Sequence, residues 1–217
     1  MDDRGAAPHM DDRGAAPHGE ARMSNPNVAV HRTLIDRLVG RRADDLAVKI
    51  GLAVAGSLLL AVSAQLKVNF GPVPFTFQTL VLLLIAATYG RNLAVGTVLL
   101  YLAEGAAGLP VFANGVGPAV LVGPTAGFLA GFVVCAAIVG EAADRGLDRS
   151  PVTLAPAMLA GIAVLFAMGW AWLAFGFGLG AEKAWLGGVQ PFVLGDLIKI
   201  AIAALAVPAG MKLLGGR

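Results

Sequence analysis

The chain of 217 residues is 57% hydrophobic and only 14% charged, and its mean hydropathy is +0.76. Because soluble domains carry about 25% charged residues, this composition excludes an ordinary soluble protein and predicts an integral membrane protein. The 16 Lys and Arg residues are nearly balanced by 14 Asp and Glu residues, so the net charge of +2 provides no basic footprint for nucleic acid.

The N-terminal region repeats itself. The sequence MDDRGAAPH at residues 1–9 recurs unchanged at residues 10–18, and a further methionine, Met23, follows. A perfect tandem copy is typical of a cloning remnant or of a duplicated start region rather than of a folded element. Residues 1–23 are therefore predicted to be disordered.

The rest of the chain divides by polarity. Residues 24–42 predict a polar cytoplasmic segment with a short interfacial helix near residues 33–42, and residues 43–214 predict a membrane domain. Long stretches of this domain contain no charge: 50–66, 68–90, 92–103, 105–140 and 150–181. Because a helix needs about 20 mostly apolar residues to cross the hydrocarbon core, the predicted fold is an all-α membrane protein with six transmembrane helices. The six helices are predicted at residues 44–65, 77–89, 92–104, 125–141, 152–175 and 191–213.

Two connecting segments interrupt the helical pattern. Residues 67–78, KVNFGPVPFTFQ, include Pro72 and Pro74, which disfavour a continuous helix and predict an ordered extracytoplasmic cap. Residues 105–124 are rich in Gly and Pro, so irregular backbone is expected there, partly at membrane depth. Such backbone is tolerated only where it lines protein or a water-filled cavity.

Positive charge is distributed unequally between the two sides of the predicted membrane. With a cytoplasmic N-terminus, the outer loops contain only Lys67 and Lys183. Ten positive residues then lie on the inner side: Arg32, Arg37, Arg41, Arg42, Lys49, Arg91, Arg145, Arg149, Lys212 and Arg217. Because Lys and Arg accumulate on the cytoplasmic side, both termini are predicted to be cytoplasmic.

Asp196 and Lys199 are ionisable residues deep within the predicted sixth helix. An ionisable residue inside a membrane costs about 2.5–3.5 kcal/mol on insertion scales, so the pair indicates a function. Residues three apart share a helix face, where opposite charges partly neutralise each other. The alternative is a structural ion pair that locks this helix to a neighbour. We favour a cavity on the outer side, where Lys199 would donate to an anionic solute.

Three further polar residues are predicted on the same side of the membrane: Gln78, Glu104 and Asn114. Each has a simpler interpretation, because Gln78 could cap a helix, Glu104 could lie at the membrane interface and Asn114 could form a turn. Their convergence on one side nevertheless favours a shared binding site.

No catalytic or metal site is predicted. His9, His18 and His31 all precede the membrane domain, and Cys135 is the single cysteine, so neither an intramembrane enzyme nor a zinc site is expected. The sequence contains no Gly-x-x-x-x-Gly-Lys-Ser/Thr motif, so the chain is not expected to hydrolyse ATP. No cofactor is predicted.

Four segments carry a recognisable pattern: VPFTFQTL (73–80), GLPVFANGVGP (108–118), LVGPTAGFLAGF (121–132) and PFVLGDLIK (191–199). In this order, and with the matching order of helices over residues 45–213, they resemble the BioY family, the biotin-specific S components of energy-coupling-factor (ECF) transporters. The chain departs from the family at Ala126, Gly127 and Phe128, where Gly-Gly-Tyr is frequent, and so lacks a hydroxyl group.

The resemblance implies an S-component fold with an extracytoplasmic biotin pocket capped by the loop between the first two helices. The implied pocket positions are Gln78, Asn114, Asp196 and Lys199, with Phe75, Phe112 and Phe128 as candidate walls. Lys199 is expected to compensate the biotin carboxylate. Asp196 is expected to orient Lys199 or to accept a ureido N–H group.

The resemblance also implies partners, namely a transmembrane coupling protein similar to EcfT and ATPase subunits similar to EcfA. These bind a ridge of small residues on the first helix. One matching ridge comprises Ala53, Ser57 and Ala61, and a second comprises Ala47, Gly51 and Ala55.

The expected function is capture and uptake of biotin across a bacterial cytoplasmic membrane, within the lipid bilayer and without enzymatic activity. The alternatives are an S component for another small vitamin and a solute transporter that works without the ATPase module. A homo-oligomer is left open.

Overall fold

A computed structural model describes residues 33–39, 45–69, 71–113 and 117–215 of the chain. The repeated segment 1–23, with its predicted disorder, lies outside the described residues, and so does Asn114.

The described part of the chain is helical apart from one short β-hairpin. Its helices are α1 (Leu34–Val39), α2 (Leu46–Gln65), α3 (Gln78–Tyr89), α4 (Arg91–Ala106), α5 (Ala126–Asp144), α6 (Pro151–Ala171), α7 (Ala181–Gly188) and α8 (Gln190–Gly215). The hairpin consists of β1 (Lys67–Asn69) and β2 (Pro74–Thr76), which pair antiparallel with Lys67 opposite Thr76.

The all-helical class is confirmed, and the six predicted apolar helices correspond to α2, α3, α4, α5, α6 and α8. Four of these regions, Leu46–Gln65, Ala126–Asp144, Pro151–Gly176 and Gln190–Leu213, are long and apolar enough to cross a membrane, and Gln78–Tyr89 is a shorter apolar helix. The short helix α1 lies where an interfacial helix was predicted. Helix α7 was not predicted.

Helix ends follow local sequence signals. Asp45 precedes α2 and its Oδ1 accepts a hydrogen bond from the backbone N–H of Ala47 at 3.0 Å, as expected of an N-cap residue. Ser150 caps α6 in the same way, and Pro151 occupies the first helical turn, where its missing N–H is not needed.

The connection between α3 and α4 is a single residue, Gly90, with a φ angle of +76°. Glycine adopts this left-handed conformation without the steric penalty of a side chain. A Cβ atom here would also clash with the carboxylate of Asp144, which accepts a hydrogen bond from the backbone N–H of Arg91 at 3.0 Å. The end of α5 therefore caps the start of α4.

Helix α5 lies at the centre of the bundle and contacts α3, α4 and α6. Small residues permit this close packing, because a Cβ atom at Gly140 would lie 2.6 Å from the backbone of Arg91. Helix α2 lies at the edge and exposes large apolar side chains, including Val54, Leu58, Leu59 and Val62. In a membrane protein such a face contacts lipid.

Candidate ligand-binding site

A pocket lies beneath the hairpin, between α3, α4, α5, α6 and α8, with about 630 Å³ of empty space that includes open solvent at its mouth. Its apolar walls include Val73, Phe112, Phe128, Phe132, Phe166 and Phe192. The polar lining residues are Thr76, Gln78, Thr79, Tyr101, Thr125, Asp196 and Lys199. An apolar wall with a few converging polar groups is the usual form of a ligand site.

Two of the predicted wall residues, Phe112 and Phe128, line this pocket, and each ring packs against a glycine. Phe112 is 3% exposed and Phe128 is 7% exposed. A Cβ atom at Gly105 of α4 would clash with the ring of Phe112, and one at Gly169 of α6 would clash with the ring of Phe128. These glycines keep the rings back and leave the pocket open.

Asp196 and Lys199 form an ion pair at the pocket wall. Their side chains are 4% and 7% exposed, and Lys199 Nζ lies 2.7 Å from Asp196 Oδ1. Both belong to one face of α8, as the spacing of three residues predicts. The hydroxyl group of Thr79, on α3, donates to Asp196 Oδ1 at 2.7 Å, so the pair also joins α8 to α3.

The ammonium group of Lys199 has no N–H left for a ligand. It donates to the Thr76 carbonyl oxygen at 2.7 Å, to Thr79 Oγ1 at 2.8 Å and to Asp196 Oδ1 at 2.7 Å. An ammonium group has three N–H donors, and these contacts use all of them. Lys199 was predicted from the sequence to donate to an anionic ligand, but this geometry makes it a link between the hairpin, α3 and α8.

Asp196 retains acceptor capacity. Both recorded hydrogen bonds end on Oδ1, and within the described part of the chain none reaches Oδ2. A carboxylate offers about four lone-pair sites on its two oxygens. Since Asp196 lines the pocket, its second oxygen is suited to accept an N–H group from a ligand.

Gln78 belongs to a second polar group that lines the same pocket. Its Nε2 donates to the hydroxyl oxygen of Tyr101 at 2.8 Å, and that hydroxyl donates to the carbonyl oxygen of Val111 at 3.1 Å. The two side chains are 5% and 0% exposed. Gln78 is therefore held in place by α4 as well as by its own helix.

Thr79 and Tyr101 line the pocket but were not predicted as site residues from the sequence. Thr79 lies within the segment 73–80 that carries the family resemblance, one residue after Gln78. That motif was the available signal, whereas nothing in the pattern of α4 distinguished Tyr101 from a core aromatic residue.

The remaining predicted residues lie elsewhere. Phe75 is not among the residues that line the pocket. It packs behind two of them, stacked on Phe192 with centroids 5.9 Å apart and 4.1 Å from the ammonium group of Lys199. Glu104 accepts a hydrogen bond from Ser57 at 2.9 Å and does not line the pocket. Asn114 is outside the described residues, so its predicted role stays a prediction.

The two small-residue ridges of α2 face different ways. Ser57 is 0% exposed, while Ala53 and Ala61 are half-buried, so this first ridge is turned toward the rest of the chain. Ala47, Gly51 and Ala55 are all exposed. Of the two, only the second ridge is fully accessible to another helix.

This combination of apolar helices and an internal pocket defines a multi-pass membrane protein that binds a small molecule within its helix bundle. The chain belongs to the BioY family, whose family model matches residues 35–216. It is 39% identical over 159 residues to the biotin transporter BioY of Thermotoga maritima, covering 73% of this chain and 90% of that protein. It is 34% identical over 160 residues to the probable biotin transporter BioY of Pyrococcus horikoshii, covering 73% and 93%.

The fold is that of a solved S component. The chain matches the crystal structure of the S-component for biotin from an ECF-type ABC transporter with a TM-score of 0.69 and 20% sequence identity. The match covers 76% of this chain and 92% of that structure. The predicted family and the predicted S-component fold are both confirmed.

Proposed function

We propose that this protein captures biotin and serves as the substrate-binding subunit of an ECF-type transporter, without enzymatic activity of its own. The observation that supports this most directly is the apolar pocket in which Asp196, Lys199 and Thr79 form one buried hydrogen-bonded cluster. Over most of its length the chain is more than one third identical to proteins named as biotin transporters. This similarity supports biotin as the ligand.

Biotin matches the chemistry of this pocket. Its fused bicycle is mostly apolar and suits the aromatic walls of Phe112 and Phe128, while its ureido group offers two N–H donors and one acceptor. The free Oδ2 of Asp196 is suited to accept a ureido N–H group, which is one of the two roles predicted for Asp196 from the sequence. Such a bond to a charged acceptor is worth about 1.5–3 kcal/mol.

In the proposed arrangement six helices cross a bacterial cytoplasmic membrane and both termini are cytoplasmic. The excess of Lys and Arg on one side supports this orientation. The hairpin and the pocket then lie on the extracytoplasmic side, where biotin arrives. Arg91 and Arg145, which pair with Glu141 at 3.2 and 2.9 Å, lie at the cytoplasmic end.

The proposed partners are a coupling protein similar to EcfT and ATPase subunits similar to EcfA. We place the contact with the coupling protein on the exposed ridge of Ala47, Gly51 and Ala55. Small residues at this spacing allow two helices in a membrane to approach closely. A Cβ atom added at Gly51 would meet nothing within 4 Å, which leaves the ridge open for a partner helix.

The proposed function is tested by titrating the detergent-purified protein with biotin and, separately, with thiamine and riboflavin. Saturable binding of one biotin per chain is expected, with no binding of the other two vitamins. Binding of thiamine or riboflavin in place of biotin would assign the chain to another substrate.

Substitution of Gly105 by alanine is expected to reduce the affinity for biotin about tenfold or more. The new methyl group must displace the ring of Phe112, and overpacking of this kind costs about 1–3 kcal/mol. The measurement is a biotin titration of the purified variant. Gly96→Ala on the same helix is the control, because a Cβ atom there meets nothing within 4 Å. Equal affinities of the two variants would contradict the assigned position of the pocket.

A further inference from the structure

The charges that line the pocket do not compensate an anionic ligand. Asp196 and Lys199 are the charged lining residues, and they neutralise each other at 2.7 Å. The ammonium group of Lys199 is also saturated by hydrogen bonds within the protein. A carboxylate removed from water without a partner is strongly destabilised, so a substrate with a carboxylate requires a positive charge from another residue.

Lys67 lies where such a charge is needed. It is directly opposite Thr76 in the hairpin, and the side chains of directly opposed residues lie on the same face of a sheet. Thr76 lines the pocket. The Lys67 ammonium group reaches across to the carbonyl oxygen of Ala113, which is also a lining residue. The register opposite Thr76 and the bond to Ala113 therefore both place this side chain at the rim of the pocket.

Lys67 also has the donor capacity that Lys199 lacks. Its bond to Ala113 is the one hydrogen bond recorded for it within the described part of the chain, and an ammonium group has three N–H donors. The side chain is exposed, so water solvates its ammonium group when no ligand is bound. Two N–H groups are available for a carboxylate that reaches the rim.

We propose that Lys67 pairs with the carboxylate of the bound substrate at the rim of the pocket and so determines the preference for a monocarboxylate over its neutral analogues. The proposal rests on the proposed function, because it takes biotin as the substrate. The bicyclic end of the ligand lies deep in the pocket, with its ureido group against Asp196, and the flexible acid chain extends toward the hairpin. Lys199 acts as a positioning residue that holds Thr76, and with it β2, in place.

The test compares biotin with biotin amide, in which a neutral amide replaces the carboxylate. Substitution of Lys67 by methionine is expected to weaken binding of biotin about tenfold or more, since a bond to a charged group is lost, and to leave binding of biotin amide unchanged. Lys67→Arg is expected to retain the affinity for biotin. Lys183→Met, which removes a lysine from α7, is the control and should change neither affinity.

The outcomes separate this proposal from the proposed function. An unchanged affinity of Lys67→Met for biotin, or an equal loss for biotin and biotin amide, would overturn the role of Lys67. If the wild-type protein binds neither ligand, the proposed function itself is overturned. Binding of the amide by Lys67→Met shows that the variant is folded, so a loss confined to biotin is due to the missing charge.

Discussion

Replacement of Lys199 by methionine is expected to lower the free energy of unfolding by about 3–5 kcal/mol, because it leaves a buried carboxylate without its partner. Asp196 is 3% exposed and would keep only the hydroxyl group of Thr79 as a donor. The variant also loses the bond to the Thr76 carbonyl oxygen, which fixes the hairpin. The measurement is the thermal denaturation of purified protein in detergent.

Two variants act as controls for this prediction. Lys212→Met removes a lysine from the exposed end of the same helix and should leave the denaturation temperature almost unchanged. The double variant Asp196→Asn/Lys199→Met removes both charges and should recover most of the lost stability, since a neutral replacement of a buried ion pair is often tolerated. Its affinity for biotin should remain lower than that of the wild type, because the charged acceptor is gone. A single variant as stable as the wild type would show that the pair is not buried.

Substitution of Ser57 by leucine is expected to destabilise the fold by at least about 2 kcal/mol, because a larger side chain overpacks a closed site and a buried hydrogen bond is lost. Ser57 is 0% exposed and donates to Glu104 at 2.9 Å. The other carboxyl oxygen of Glu104 is buried without a hydrogen-bond partner in the described part of the chain. Thermal denaturation in detergent measures the effect.

The matched variant Gly51→Leu should behave in the opposite way. Its side chain would extend from the exposed ridge, and leucine favours a helix over glycine by about 0.5–1 kcal/mol. Folding and binding of biotin should therefore be retained, while co-purification with the coupling protein and ATPase subunits should be lost. If Gly51→Leu still co-purified with the coupling protein and ATPase subunits, the exposed ridge would be excluded as the site of contact with the partner.

The helices could be predicted from the sequence because their signal is simple. Five charge-free stretches locate the apolar helices α2 to α6, the long apolar run around Asp196 and Lys199 locates α8, and the ends agree with the structure within a few residues. Helix α7 was missed because Ala181–Gly188 is short and contains both Glu182 and Lys183. It depends on contacts with α6 and α8, and such tertiary contacts have no local sequence pattern.

The site was only partly predictable, for a related reason. Asp196 and Lys199 were identified because buried charge is rare in a membrane, and the structure places both at the pocket. Their bonding partners were not identifiable, since Thr76 and Thr79 are ordinary polar residues more than 110 positions before α8. Without those partners the sequence could not indicate that the donors of Lys199 are already used.

The single-residue connection at Gly90 gives α3 and α4 a common pivot. Gln78 and Tyr101, whose side chains are joined at 2.8 Å, lie roughly 18 and 17 Å from that pivot along their helices, at about 1.5 Å per residue. A rotation of about 5° at Gly90 would change the separation of the two helices at the pocket by about 1.5 Å, given this helix length. Because the two helices extend this far from Gly90, even a small change in its backbone torsions would be amplified at the end of the bundle that contains the pocket.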